Sequence, residues 1–200
     1  MNTESGRSVI FYGPMKSGKS LQLLWTAKRL EEENKKYLVF KPSIDKRDGA
    51  FIASRGSDIM IPAIMVNLGS DIIHHIKREI AERAGVSAVL VDEINLFDSG
   101  VMLAHEFCVD SGIDFYAAGL DRDFKKQWFQ LGQGPETMFH LVAEYDEENL
   151  LAAKCEVCGS HAYYTQKLIN GNPAPESSPL VEIGDSQYQA RCSKCHQLGI

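Results

Sequence analysis

Eight residues near the start of the chain, Gly13-Pro14-Met15-Lys16-Ser17-Gly18-Lys19-Ser20, satisfy the spacing G-x-x-x-x-G-K-[ST] without a mismatch. The spacing suits phosphate binding. Glycines let the backbone turn tightly enough for several N–H groups to converge on a phosphate. Lys19 can reach the outer phosphates, and the Ser20 hydroxyl is placed to ligand Mg²⁺. The bland alternative is a glycine-bearing turn that matches by chance. Against chance, the apolar run Val9-Ile10-Phe11-Tyr12 precedes the loop and a helical pattern over Leu21–Leu30 follows it, the order that phosphate binding requires. The helix N-terminus brings a positive dipole end to the same spot. The loop predicts a binder of nucleoside triphosphates.

A second acidic element, Asp92-Glu93, comes directly after the apolar run Val86–Val91. Phosphoryl-transfer proteins with such a loop keep a carboxylate for Mg²⁺ at that position, and open α/β sheets place ligands at their strand ends. Adjacent side chains there point different ways. One carboxylate can thus hold the metal while the other serves a second substrate as general base. Alone, an Asp-Glu pair after an apolar run reads as a solvated loop start; the upstream loop shifts the reading to function.

Cys155-x-x-Cys158 and Cys192-x-x-Cys195 are two matched pairs separated by 33 residues. Four thiolates in this pattern suit tetrahedral Zn²⁺, and four protein ligands leave no open position, so the predicted zinc is structural. A disulfide framework fits a reducing compartment poorly, and a redox C-x-x-C would not come in duplicate. His196, beside Cys195, ranks second as a substitute ligand, while Cys108, alone in a helical pattern, reads as a buried thiol.

The scaffold for these groups is a chain of 200 residues, 44% hydrophobic and 24% charged, ordinary for one soluble domain with a small appendage. No apolar run approaches the ~20 residues of a membrane span. The first eight residues lack a signal-peptide core, so a cytoplasmic location is expected. A net charge of −6 argues against a general nucleic-acid or membrane binder.

Strands are predicted at Ser8–Tyr12, at Tyr37–Phe40 running into Lys41-Pro42, at Val86–Val91 and at Asp114–Leu120. Helices are predicted from the loop to about Asn34, over Asp71–Ala84 and over Ser99–Ser111. The first two strands should form a parallel pair around their helix. Ile72, Ile73, Ile76, Ile80 and Ala84 share one face of the second helix, where His74 and His75 read as a solvated or half-buried pair. Residues 42–67, with turn signals at Asp48-Gly49, Arg55-Gly56 and Pro62, read as loops or a small hairpin. The expected architecture is an α/β domain over residues 1–150, a mostly parallel sheet flanked by helices, followed by a small zinc-binding β lobe over residues 151–200.

Loop, acidic pair and cysteine quartet, in this order and over nearly the whole chain, resemble the thymidine kinase family that includes the human cytosolic enzyme. Gly13–Ser20 is similar to the family's G-P-M-F-S-G-K-S, Lys41-Pro42-Ser43-Ile44-Asp45-Lys46-Arg47 to K-P-x-x-D-x-R, and Asp92-Glu93-Ile94-Asn95-Leu96-Phe97 to D-E-[AGC]-Q-F-F. Gly119-Leu120-Asp121-Arg122-Asp123-Phe124 with Phe129 resembles G-L-D-x-D-F…F, and Tyr164-Thr165-Gln166-Lys167 resembles Y-T-x-R. Leu180-Val181-Glu182-Ile183-Gly184 with Tyr188 resembles the family's lasso loop.

The resemblance implies a RecA-like P-loop fold and transfer of the γ-phosphate of ATP to the 5′-hydroxyl of thymidine, with deoxyuridine also acceptable, in nucleotide salvage. It implies that Gly13, Pro14, Met15, Lys16, Ser17, Gly18, Lys19 and Ser20, with Asp45, Arg47, Asp92, Glu93, Ile94 and Asn95, surround ATP and its Mg²⁺. Glu93 would take the proton from the 5′-hydroxyl, and Lys19 and Arg47 would stabilise the transferring group. Met15, Leu96, Leu120, Phe124, Phe129, Thr165 and Tyr188 would wall the nucleoside, and Leu180, Val181, Glu182, Ile183 and Gly184 would close over it. Such a lid excludes water and favours transfer over hydrolysis. A homotetramer without nucleic-acid or membrane partners is implied too. This chain departs from the family at Lys16 (Phe), Asn95 (Gln), Leu96 (Phe) and in a lasso one residue short, with Gly184-Asp185 for two glycines.

Two other classes stay open. A P-loop ATPase with a nucleic-acid-binding zinc lobe would need a basic lobe, yet Lys154, Lys167, Arg191 and Lys194 are matched there by Glu156, Glu176, Glu182 and Asp185. A catalytically weakened binding protein is suggested only by Asn95-Leu96. Within the kinase class, another pyrimidine deoxynucleoside is the rival acceptor.

Overall fold

The structure, a computed structural model, describes residues 5–54, 57–82, 85–180 and 188–199. Along the chain come β1 (Ser8–Tyr12), α1 (Lys19–Glu32), β2 (Tyr37–Pro42), β3 (Phe51–Ala53), β4 (Met60–Pro62), β5 (Ile64–Val66) and α2 (Asp71–Ala81). They are followed by β6 (Ala88–Val91), α3 (Gly100–Asp110), β7 (Asp114–Gly119), α4 (Met138–Val142) and β8 (Glu147–Leu150). The rest is β9 (Ala153–Lys154), β10 (His161–Ala162), β11 (Tyr164–Ile169), β12 (Asn172–Pro173) and β13 (Tyr188–Arg191).

Six strands form one sheet in the order β5-β2-β6-β7-β1-β8, and every adjacent pair is parallel. A parallel sheet needs apolar cover on both faces, and the strand residues alternate accordingly. Ile10, Phe40, Val89, Val91, Phe115 and Ala117 face a core completed by α2 (Ile72, Ile76), α3 (Val101, Ala104, Cys108) and α4 (Met138, Leu141). Val9, Val39, Ala88, Leu90, Tyr116 and Ala118 face the other way, onto Leu23, Leu24, Ala27 and Leu30 of α1 and onto the β3–β4 hairpin through Ile52 and Ile61. The helix α1 stops cleanly because Asn34 adopts a left-handed φ of 53°, which lets Lys35 N–H and Asn34 N–H donate to Leu30 O and Glu31 O.

Several expectations are corrected. β1 and β2 are parallel but not paired; β6 and β7 lie between them. A crossover helix fixes that its strands share direction, not how many strands later slip between them. The excursion after Pro42 contains the hairpin but also β5, a three-residue edge strand of the main sheet. The buried stripe of α2 ends at Ile76, since Ile80 is 46% exposed, and Ala84 lies outside the described residues, as do Arg55 and Gly56. No sequence pattern announced α4 or β8. The five-residue α4 is too short for periodicity and is set by a capping box between Thr137 and His140. β8 carries exposed Glu147 and Glu148, charges that blunt an edge strand.

After β8 the strands are short and antiparallel: β9 with β10, and β12-β11-β13. Their core is Ala153, Cys155, Ala162, Ala190 and Cys192, with Cys195 against it. Among the described residues no helix is long and apolar enough to cross a membrane.

The end of β7 shows how tightly the strand ends are packed. A Cβ on Gly119 would lie 2.8 Å from both Asn95 Oδ1 and Ile94 Cγ2 of the 3₁₀ turn Ile94–Leu96. Gly119→Ala should therefore cost roughly 1–3 kcal/mol, visible as a lower urea midpoint at unchanged slope. An unmoved midpoint would show that the turn yields freely.

Candidate active site

The loop between β1 and α1 is held in a conformation few sequences allow. Gly13 has φ 140°, and a Cβ there would sit 2.2 Å from Leu151 O, so only glycine lets the loop leave β1 beside the segment after β8. Gly18, at φ 88°, turns the chain into α1. Lys19 opens that helix 9% exposed, its Nζ donating to Pro14 O at 2.7 Å. Burial pulls the Lys19 ammonium below its ordinary value, and the charges of Glu93, Asp92 and Asp121 oppose that fall. Met15 N–H donates to Thr165 Oγ1 at 3.1 Å. Ser17 Oγ is buried with no partner. A ring of turned backbone, a buried ammonium and an orphaned hydroxyl fits an incoming phosphate chain.

The acidic pair stands at the carboxyl end of β6. Asp92 N–H donates to Phe40 O at 3.0 Å, and its Oδ1 accepts from Ser20 Oγ at 3.1 Å. That pairing of hydroxyl and carboxylate suits a shared divalent cation. Burial first, and the charge of Glu93 second, push the Asp92 carboxyl up to about 7. Glu93 is left-handed, φ 48° and ψ 42°, a costly conformation for a residue with a Cβ. It redirects the chain into the 3₁₀ turn and leaves the Glu93 carboxylate against Arg47 Nη2.

Arg47 is itself clamped. Its Nε and Nη2 donate to Asp45 Oδ1 and Oδ2 at 2.8 and 3.2 Å. Lys41, 2% exposed, adds its Nζ at 3.2 Å from both Asp45 Oδ2 and Phe51 O. Burial alone would raise the Asp45 carboxyl, but Arg47 and Lys41 outweigh it and leave it below its ordinary value. The order Lys41–Asp45–Arg47–Glu93 thus carries alternating charge from the β2 end to the β6 end.

A cavity of about 290 Å³ opens beside this network. Met15, Lys16, Gly18, Lys19, Ser20, Asp45, Arg47, Glu93 and Asn95 line it from the loop and the strand ends. Leu96, Leu120, Phe124, Phe129, Thr165, Leu180 and Tyr188 line the rest. Asp92 lines a neighbouring cavity of about 280 Å³ with Ser20, Asp45, Arg47 and Glu93. Gly13, Pro14 and Ser17 belong to the loop but not to either cavity wall. Ile94 does not face ligand space: its side chain is fully buried in the core, because the 3₁₀ turn needs an apolar anchor against the sheet. Val181, Glu182, Ile183 and Gly184 lie outside the described residues.

Some residues of the site were missed in the sequence. Asp121 and Asp123 are 5% and 4% exposed, and burial raises both carboxyls. Asp123 Oδ1 accepts from Lys125 N and Gln127 N at 2.8 and 3.0 Å, shaping the turn that carries Phe124. Arg122 lies 4.4 Å over the Trp128 ring. A G-L-D-x-D-F match names these positions; only the fold shows that Arg122 and Asp123 line the cavity while Asp123 also shapes its turn. Asn95 Oδ1 accepts from Leu120 N at 2.8 Å, and its Nδ2 is buried without a partner.

The four late cysteines converge, with all their sulfurs within 4.8 Å of one another. Cys158 Sγ and Cys192 Sγ are 3.7 Å apart, far from a disulfide and close to the ~3.8 Å edge of a tetrahedron with metal–sulfur bonds of about 2.3 Å. The cluster could hold a zinc ion. His196 is not part of it, since its Nε2 lies 2.9 Å from Phe124 O. Cys108 is buried in α3, where burial pushes its thiol up to about 12.

Asp92 gives a prediction with a defined sign. Its folded-state value is raised from 3.8 to about 7, so its ionisation costs stability as pH climbs through that window. Without Mg²⁺, Asp92→Asn should melt at least about 3 °C above wild type at pH 8, the effect of ~1 kcal/mol in a chain this size. The gap should close towards pH 4. Equal melting temperatures at pH 8 would show that this charge is buried at no cost. A family model for thymidine kinase matches residues 6–196, spanning the phosphate loop, the acidic pair and the cysteine quartet, and the chain belongs to the thymidine kinase family.

Proposed function

We propose that this protein is a thymidine kinase that transfers the γ-phosphate of ATP to the 5′-hydroxyl of thymidine, with deoxyuridine as a further acceptor, in nucleotide salvage. The observation that carries the reading is a single cavity whose lining joins cationic Lys19 and Arg47 and acidic Glu93 with aromatic Phe124, Phe129 and Tyr188. Cationic groups and converging N–H donors suit the triphosphate of ATP, and an aromatic wall suits a planar base. The choice of thymidine rests on the family. So does the expectation of a cytoplasmic homotetramer with neither nucleic-acid nor membrane partner.

In this mechanism the loop N–H groups and Lys19 hold the phosphates. Ser20 and Asp92 would hold Mg²⁺, and the ion would supply charge neutralisation for the outer phosphates. Glu93 accepts the proton of the 5′-hydroxyl while that oxygen attacks the γ-phosphorus in line, the bond to the β–γ bridging oxygen breaks and ADP leaves. Arg47 has five donors in a rigid fork, enough to keep Asp45 while turning from Glu93 to the transferring group. That exchange frees the Glu93 carboxylate as the substrates arrive. Cys155, Cys158, Cys192 and Cys195 would hold a zinc ion that cross-links the lobe from which Thr165, Leu180 and Tyr188 reach the cavity. Leu180 lines the cavity and helps to keep water out.

The test pairs a variant with a substrate panel. Glu93→Gln should bind MgATP within about threefold of wild type and lose at least ~100-fold in kcat with thymidine. Turnover within a few-fold of wild type would remove Glu93 as the base. Product from other nucleosides but not thymidine would replace the acceptor. Nucleic-acid-stimulated ATP hydrolysis without nucleoside product would replace the kinase.

A further inference from the structure

Lys16 stands in the phosphate loop where the resembling family motif has Phe, and it has a partner no loop motif predicts. Its Nζ lies 2.8 and 2.9 Å from the two carboxylate oxygens of Glu156. Glu156 directly follows Cys155 in the first cysteine pair. The Glu156 carboxylate is also fixed from behind. Its Oε1 accepts from Ala190 N–H at 2.8 Å, and its own backbone N–H donates to Ala190 O at 3.0 Å, so β13 grips both its main chain and its side chain. We infer that Glu156 is a positioning residue for the phosphate loop: through Lys16 it pins the loop to the metal-binding lobe in the shape that receives the triphosphate.

Four features support this role. Lys16 has φ 63°, the left-handed region, which costs a residue with a Cβ and so needs an outside contact to persist. Both carboxylate oxygens engage the same ammonium, which leaves Lys16 neutralised rather than available as a further phosphate ligand. The anchoring carboxylate is already ordered by β13, so the pair forms with little further loss of freedom. The neighbouring contact of Met15 N–H with Thr165 Oγ1 ties the preceding loop residue to the same lobe. A loop fixed before ATP arrives has less ordering left to do on binding.

The inference rests on the proposal that the loop holds ATP, and binding rather than turnover tests it. On the full zinc-loaded chain, the affinity for MgATP would be measured by calorimetry for wild type, K16Q, E156Q, the double variant and K16R, with zinc content determined for each. Each Gln variant should bind MgATP about threefold to fivefold more weakly, the size a partly exposed ion pair can contribute. The double variant should be no weaker than either single, and K16R should stay within about twofold of wild type. If E156Q loses zinc, K16Q carries the same prediction with the metal site untouched. Losses that multiply in the double variant, or tighter binding when Glu156 is neutralised, would overturn the role. A wild-type chain that binds no MgATP would instead refute the kinase reading, and this inference with it.

Discussion

Every pairing in the main sheet is parallel, and that single constraint decides where the chemistry can be. All six strands end on one side, so the loop after β1, Asp45 after β2, Asp92 and Glu93 after β6 and Asp121 after β7 meet there despite their distance in sequence. The meeting concentrates like charge. Asp45, Asp92 and Asp121 are each under 10% exposed, and buried carboxylates repel one another and lose hydration. Lys19, Lys41 and Arg47 answer them, with Lys41 2% exposed and Lys19 9%. Neither set would be stable alone, because an unpaired buried charge costs several kcal/mol.

Within that arrangement, adjacent residues acquire opposite properties. Asp92 is 7% exposed and its carboxyl is pushed up to about 7. Glu93, one residue on, leaves the strand through a left-handed backbone and reaches the cavity and Arg47 instead. The strained φ is what separates them, since a continued strand would only point Glu93 to the opposite face of the sheet. Backbone strain of this kind persists when packing on both sides enforces it. Here Ile94 is locked in the core behind Glu93, and Asn95 is bonded to Leu120 N–H.

Much of this was legible because its signals are local. The loop, the acidic pair and the cysteine pairs are short strings, and the central strands read plainly because burial on both faces makes them continuous apolar runs, as in Ala88–Val91. Edge elements gave no such signal. β5 is three residues long, and β8, Glu-Glu-Asn-Leu, is written for solvent rather than for a core. Strand order escaped as well: β1 and β2 follow each other in sequence, yet β6 and β7 separate them, a choice made by long-range packing. The support residues were least visible. Lys41 and Asp123 sit in recognisable strings, but only three dimensions show that the first pins Asp45 and the second shapes the Phe124 turn.

The metal-binding lobe follows a different logic from the sheet. The core around its cysteines holds Ala153, Ala162, Ala190, Cys155 and Cys192, too little apolar surface to order a chain segment by burial alone. A tetrahedral metal cross-link between its two cysteine pairs would supply what burial lacks. Contacts beside the metal ligands then run straight to the cavity. Glu156, next to Cys155, holds Lys16, and His196, next to Cys195, holds the carbonyl of Phe124. One reaches the loop and the other the aromatic wall. A metal held by these four cysteines, with no ligand position left open to substrate, would therefore brace both the phosphate loop and the Phe124 turn, and this gives the late position of the cysteines in the chain a physical meaning.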